Sequence, residues 1–511
     1  MNWREWLFAL LGVVLLGVGA RQVALVQGPM QEISVHAGPA CPAVPVRILQ
    51  PTAPSLGGAA VVFHGLGANR LVMLPFGQRM AAAGLRVYLT DFPGHGNDTT
   101  PFSFARAEEC AARTLEALER QGEISAQRTV LMGHSMGGGV ALRLADRFPS
   151  AGTIAMAPAP EVFPRRMPSN LLLVTPGFDF PAIKSMAEKI VAAAGARRDA
   201  AEDFRQRRAF RQLGVAERSH TTVIFDPDVS KVVAQWAASS LGTDPRTVPA
   251  QLPSGLLGGV LGVVGLFCVF PLATSGITRA FGAQASGGRG KPATGGGPRY
   301  LAVIVYWVFA ALLSVGALAY YVPLKFVRMY SADYLASLML LSSLPLLLLL
   351  HSGLKGQLVA RPAALVAAAV LGTATVLVIG GWLNWELTDA WPTVGRWTRF
   401  PILFAALLPY CLAEEAALGA PTLPGFGAKI ARLATYLALR LILWLVTFFA
   451  VWAVFSGALL AVVFLVYMSL FSVFQRLGTD AVRNRTASAA AAALFNAILA
   501  AWFLVAAFPL T

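Results

Sequence analysis

The chain has 511 residues, 56% hydrophobic and only 13% charged, with a mean hydropathy of +0.61. Soluble domains carry about 25% charge, so this composition excludes a disordered chain and a wholly soluble one, and four cysteines exclude a disulfide scaffold. The net charge of +15 lies mostly outside residues 28–250, which hold 23 Lys+Arg against 19 Asp+Glu; the remainder holds 18 against 7, the pattern of loops between membrane spans rather than of a phosphate-binding face, so no nucleic-acid partner is expected.

In chain order, residues 1–27 form an apolar leader without charge from Trp6 to Ala20, read as a transmembrane signal anchor or a signal peptide. Residues 28–250 alternate short apolar runs with helical patterns. The runs are 59–63, 86–90, 129–132, 152–156 and 171–174; the helical patterns are 105–121, 136–147, 183–194 and 229–241. Such alternation predicts a mostly parallel sheet flanked by helices, in which chemistry gathers at the carboxyl ends of the strands.

Residues 251–511 read as a membrane domain of about eight transmembrane helices, near 254–275, 300–321, 334–350, 363–384, 400–417, 433–455, 458–475 and 488–508. The charge-free run from Leu441 to Gln475 is too long for one crossing, so a hairpin is expected at Ser456-Gly457. A flexible cytoplasmic loop is expected over 276–299. One set of alternate loops carries 11 Lys/Arg and the other four (Lys325, Arg328, Arg396, Arg399). By the positive-inside rule the first set is cytoplasmic, which places 28–250 on the exoplasmic side of a multi-pass protein of the cell membrane. Glu414-Glu415 and Arg440 fall inside predicted spans and could pair across neighbouring helices. Cys268 and Cys411 read as packing residues, while Cys41 and Cys110 could pair in an oxidising compartment.

Gly133-His134-Ser135-Met136-Gly137 is G-x-S-x-G between a strand and a helix, a tight turn that exposes a serine hydroxyl at a helix N-terminus. Serine needs a base. The soluble part offers His36, His64, His95, His134 and His220, of which only His220 lies downstream of Ser135. The orienting acid should follow a strand between them; Asp179 does, with Asp226 and Asp228 as alternatives. The oxyanion donors should be the N–H groups of Met136 and of Leu66 in His64-Gly65-Leu66-Gly67. His64 and His95 read as loop-stabilising residues.

HGLG at 64–67, DFPGHG at 91–96, GHSMGG at 133–138, GFD at 177–179 and SH at 219–220 resemble the α/β-hydrolase superfamily in order and spacing, over about residues 55–242. The resemblance implies Ser135 as nucleophile, Asp179 as acid, His220 as base, and Leu66 and Met136 as oxyanion donors; no cofactor and no metal are expected. Only 44 positions separate Ser135 from Asp179, which leaves no room for a large cap domain, and the polar stretch Arg197–Arg218 is expected to form a small lid. The Glu-Glu pair does not complete the E-E-x-x-x-R pattern of intramembrane CAAX-type proteases, because position 419 is Gly. The expected function is a membrane-tethered serine hydrolase acting on an ester, thioester or amide of a small-molecule or lipid acyl substrate. Acyl transfer by the same residues, and a non-catalytic binding domain on a membrane scaffold or transporter, are the alternatives.

Overall fold

A computed structural model describes residues 3–159, 164–195, 201–249, 252–284, 300–320, 326–350, 361–419, 426–455 and 459–511. The chain divides into two compact units. One comprises 16–263 together with 382–393 and 509–511; the other comprises 1–15, 264–381 and 394–508.

The first unit holds one eight-stranded sheet: β1 Met30–Val35, β2 Val44–Leu49, β3 Ala59–Phe63, β4 Arg86–Thr90, β5 Thr129–His134, β6 Gly152–Met156, β7 Leu171–Phe178 and β8 Phe210–Ser219. Their spatial order is β1-β2-β4-β3-β5-β6-β7-β8, with β1 and β2 antiparallel to their neighbours and the remaining pairs parallel. The central strands are covered on both faces, which is why they read as unbroken apolar runs rather than as alternation. Val62, Val130, Met132, Ile154, Met156, Leu172 and Val174 pack with helices α2 (Leu74–Ala82) and α7 (Pro227–Ser240). Ala155, Leu171 and Leu173 pack on the other face, with Leu142 of α4 (Met136–Leu144) and Met186, Ala187 and Ile190 of α5 (Pro181–Ala194). A disulfide between Cys41, in the β1–β2 loop, and Cys110, in α3 (Phe104–Arg120), closes a separation of 69 residues.

The expected lid over Arg197–Arg218 is corrected. Residues 201–205 form a short helix, α6, and 210–219 form β8, which pairs with β7 as the last strand of the sheet. Its run FRQLGVAERS is mostly solvent-facing, so Arg211, Glu217 and Arg218 are charges of an edge strand, while Glu202, Asp203 and Arg205 belong to α6.

In chain order the apolar helices are α1 (Trp3–Val26), α8 (Gly255–Ala280), α9 (Tyr300–Tyr320), α10 (Ala332–Leu349), α11 (Pro362–Glu386), α13 (Phe400–Leu418), α14 (Phe426–Phe455), α15 (Leu459–Thr486) and α16 (Ala489–Ala507), with a single turn, α12, at Val394–Trp397. Six helices among the described residues are long and apolar enough to cross a membrane: the leader and five beyond residue 250. The hairpin at Ser456-Gly457 and most of the loop at 276–299 lie outside the described residues.

Within the second unit, Arg440 forms a bidentate pair with Glu414, and Arg476 pairs with Glu415; all four side chains are buried. Asn496 Nδ2 donates to Glu414 Oε2 at 3.2 Å. Burying these carboxylates is tolerable because each meets a guanidinium directly, and the pairs tie α13 to α14 and α15.

Candidate active site

The elbow at Ser135 follows from its two glycines. A Cβ on Gly133 would lie 2.0 Å from the Gly137 carbonyl oxygen, and one on Gly137 would lie 2.5 Å from that of Phe63, so any larger residue blocks the turn. Ser135 has φ +53° and ψ −117°, a strained backbone that costs about 1–3 kcal/mol and is held by the surrounding sheet. Ser135 N–H donates to Met156 O at 2.9 Å, and the N–H groups of Gly139 and Ala159 donate to Ser135 O. Met136 opens α4, so its N–H is among the unpaired donors at a helix N-terminus. A Cβ on Gly65 would come within 3.2 Å of Ser135 Cβ, which places the Gly65–Leu66 stretch against the serine.

The structure brings three expected residues into one line. Ser135 Oγ is 2.9 Å from His220 Nε2, and His220 Nδ1 is 2.9 Å from Asp179 Oδ1. The Asp179 carboxylate is 1% exposed and the imidazole 8%. A carboxylate accepts only, so Nδ1 carries the proton and Nε2 presents its lone pair to the hydroxyl. Asp179 Oδ1 also accepts from Phe180 N–H at 2.7 Å, and the Phe180 ring packs edge-on to the imidazole.

The alternative acids are not at the imidazole. Asp226 caps α7, accepting from the N–H groups of Asp228 and Val229, and pairs with Arg218 at 2.6 Å. Asp226→Ala should therefore lower stability by about 1 kcal/mol, a lost N-cap, and leave Ser135 reactivity intact. Thermal unfolding and serine-probe labelling of the same sample check both halves.

Two further histidines are structural. His64 Nδ1 donates to Gly65 O at 2.7 Å and Nε2 accepts from Phe92 N–H at 3.0 Å; burial holds its pKa below the ordinary histidine value. His95 Nδ1 donates to Pro93 O at 2.9 Å, fixing the 91–96 turn.

Sequence reasoning missed three contributors. His134, the second residue of the serine motif, donates Nε2–H to the His220 carbonyl at 2.8 Å and so pins the backbone beneath the imidazole. Burial, with His220 alongside, holds its pKa down at about 3, and it stays neutral. Arg70 donates to Asp91 through its backbone N–H at 2.8 Å and its side chain at 2.5 Å, and its side chain reaches Asp389 at 2.5 Å. Asn69 Nδ2 donates to Thr388 Oγ1 at 2.8 Å. The C-terminal end pairs with the same region: Phe102 N–H donates to Leu510 O and Leu510 N–H to Gly94 O. The available signal for Asp389 was its rarity, one of seven acids outside 28–250.

Residues 60–265 match the alpha/beta hydrolase family. Together with the sheet order and the serine elbow, this decides the fold. The matched segment is an α/β-hydrolase domain. A candidate non-heme haloperoxidase of Mycobacterium phage D29 is 33% identical over 93 residues, which is 18% of this chain; the chain spans 32% of that curated relative. Solved structures similar to the chain include an esterase from Pyrobaculum calidifontis (15% identity, 45% of this chain, 88% of that one, TM-score 0.33). An α/β serine hydrolase homologue from Coxiella burnetii is another (16% identity, 41% of this chain, 97% of that one, TM-score 0.32).

Proposed function

We propose that this chain is a membrane-tethered serine hydrolase that cleaves a carboxylic ester, with a lipid-like acyl chain as the preferred substrate. The observation that carries the reading is the hydrogen-bonded line from Asp179 through His220 to Ser135. Ser135 Oγ attacks the acyl carbonyl while its proton passes to His220 Nε2. The N–H groups of Met136 and Leu66 hold the oxyanion. His220 then returns the proton to the departing alkoxide, leaving an acyl-enzyme that water hydrolyses by the same steps. Asp179 keeps the imidazole in the accepting tautomer and offsets its positive charge. His134, neutral itself, adds no repulsion to the imidazolium.

A lipid-like substrate is supported by connectivity. Asp389, which touches Arg70, follows the end of α11 by three residues, and Leu510, which pairs with Gly94, follows the end of α16 by three. The loops flanking the serine are thus anchored to positions a few residues from membrane-length helices, and Phe178, beside Asp179, is 71% exposed. The Cys41–Cys110 disulfide and the Lys/Arg asymmetry of the loops support an exoplasmic domain.

The test is labelling of the purified full-length chain with a fluorophosphonate, followed by p-nitrophenyl esters of increasing chain length. The expected result is stoichiometric labelling at Ser135 and kcat/KM rising from acetyl to longer acyl chains. A folded chain that neither labels nor hydrolyses any ester overturns the enzyme; a preference for acetyl overturns the lipid-like substrate.

A further inference from the structure

A cavity of about 220 Å³ lies in the first unit, away from Ser135. Its walls come from the last residues of α1 (Leu25 and Val26), from Gln78 and Arg79 of α2, and from the approach to α8 (Leu252 and Leu256). Its size is below that of pockets enclosing a whole drug-sized molecule, and suits the head of an amphiphile.

Arg79 is the cation of this cavity and is only 6% exposed. Its guanidinium donates to the Pro249 carbonyl at 2.8 Å and, among the described residues, forms no ion pair. Asp228 acts on it only at longer range, while burial pushes the guanidinium below its ordinary value. The other carboxylates nearby are committed. Asp226, which also lines the cavity, serves Arg218 and the α7 amides, and Glu386 accepts from Gln27 at 3.3 Å and from Gln78 at 2.5 Å. A buried cation without a direct ion pair is costly, and here it borders a cavity lined by the end of α1 and the start of α8. With α1 and α8 read as membrane spans, as in the proposed membrane tethering, those are headgroup-level positions, where arginine meets lipid phosphate.

We infer that the cavity is a phospholipid headgroup site, in which Arg79 binds the phosphodiester and the acyl chains run along Leu25, Val26, Leu252 and Leu256. The same guanidinium would bind a free phosphate; the apolar wall and the helix ends favour the lipid. The site is separate from Ser135; it rests on the proposed membrane tethering and not on the hydrolase reading.

Native mass spectrometry of the delipidated full-length chain tests this. Phosphatidylglycerol, diacylglycerol with the same acyl chains, and inorganic phosphate are titrated separately into wild type, Arg79→Gln, Arg79→Lys and Leu252→Trp. Wild type should bind phosphatidylglycerol and not diacylglycerol. Arg79→Gln should bind it roughly tenfold or more weakly, as loss of a charge-assisted contact dictates, and Arg79→Lys should fall between them. Leu252→Trp, which fills the cavity without changing charge, should also lose binding. Equal retention of phosphatidylglycerol by a folded Arg79→Gln or Leu252→Trp chain overturns the site. Arg79-dependent binding of inorganic phosphate without binding of phosphatidylglycerol overturns the lipid assignment.

Discussion

Ser135→Ala should abolish fluorophosphonate labelling and lower ester hydrolysis by a factor on the order of 10⁴ to 10⁶, because the acyl-enzyme has no other atom on which to form. The fold should survive. Ser135 Oγ gives one hydrogen bond, to His220, and the elbow itself is held by backbone bonds from Ser135 N–H to Met156 O and from the Gly139 and Ala159 amides to Ser135 O. Alanine keeps a Cβ at φ +53° and therefore keeps the strain. Ser135→Gly removes it and should be more stable than Ser135→Ala by about 1 kcal/mol, while being equally inactive. Thermal unfolding of the two variants together with probe labelling separates loss of chemistry from loss of structure. Persistent labelling of Ser135→Ala at wild-type rate would move the nucleophile elsewhere.

How legible the molecule was depends on burial. The strands β3 to β7 were readable because both faces are covered, so their residues are mostly apolar rather than alternating, as in Ala59–Phe63. The two sheet edges were not readable. In β1 only Val35 is buried, and in β8 only Phe210 is; a strand that faces solvent carries the charges of a loop. That is why Arg197–Arg218 resembled a lid. Ser135 was readable from its flanking glycine pair, Asp179 from the apolar run before it, and His220 as the only histidine of residues 28–250 downstream of Ser135. The Asp389 contact to Arg70 was not, since a separation of 319 residues leaves no local pattern. His134 was in plain view, but its neighbour at the elbow drew the chemistry, and its bond to a backbone carbonyl depends on where the chain around residue 220 returns.

Asp179→Asn should lower kcat about 10⁴-fold with little change in KM, because it reverses the imidazole rather than removing it. Asp179 Oδ1 accepts from His220 Nδ1–H and from Phe180 N–H, and its other oxygen is buried and, among the described residues, has no hydrogen-bond partner. An asparagine whose oxygen keeps the Phe180 bond turns its NH₂ toward the ring or leaves it unpaired. In the first case Nδ1 must accept, the ring proton moves to Nε2, and Nε2 can no longer take the proton of Ser135. In the second the oxygen still accepts from Nδ1–H, but the imidazolium loses its counter-charge and the buried NH₂ finds no acceptor. Substrate contacts are untouched either way, so binding holds while the chemical step fails. The measurement is kcat and KM on a soluble ester, with the rate of fluorophosphonate labelling falling in parallel. An Asp179→Asn enzyme within tenfold of wild type would show that another carboxylate orients His220. Asp226 is then excluded or implicated by the same assay, because Asp226→Ala should leave kcat unchanged: its carboxylate serves Arg218 and the first turn of α7, not the imidazole.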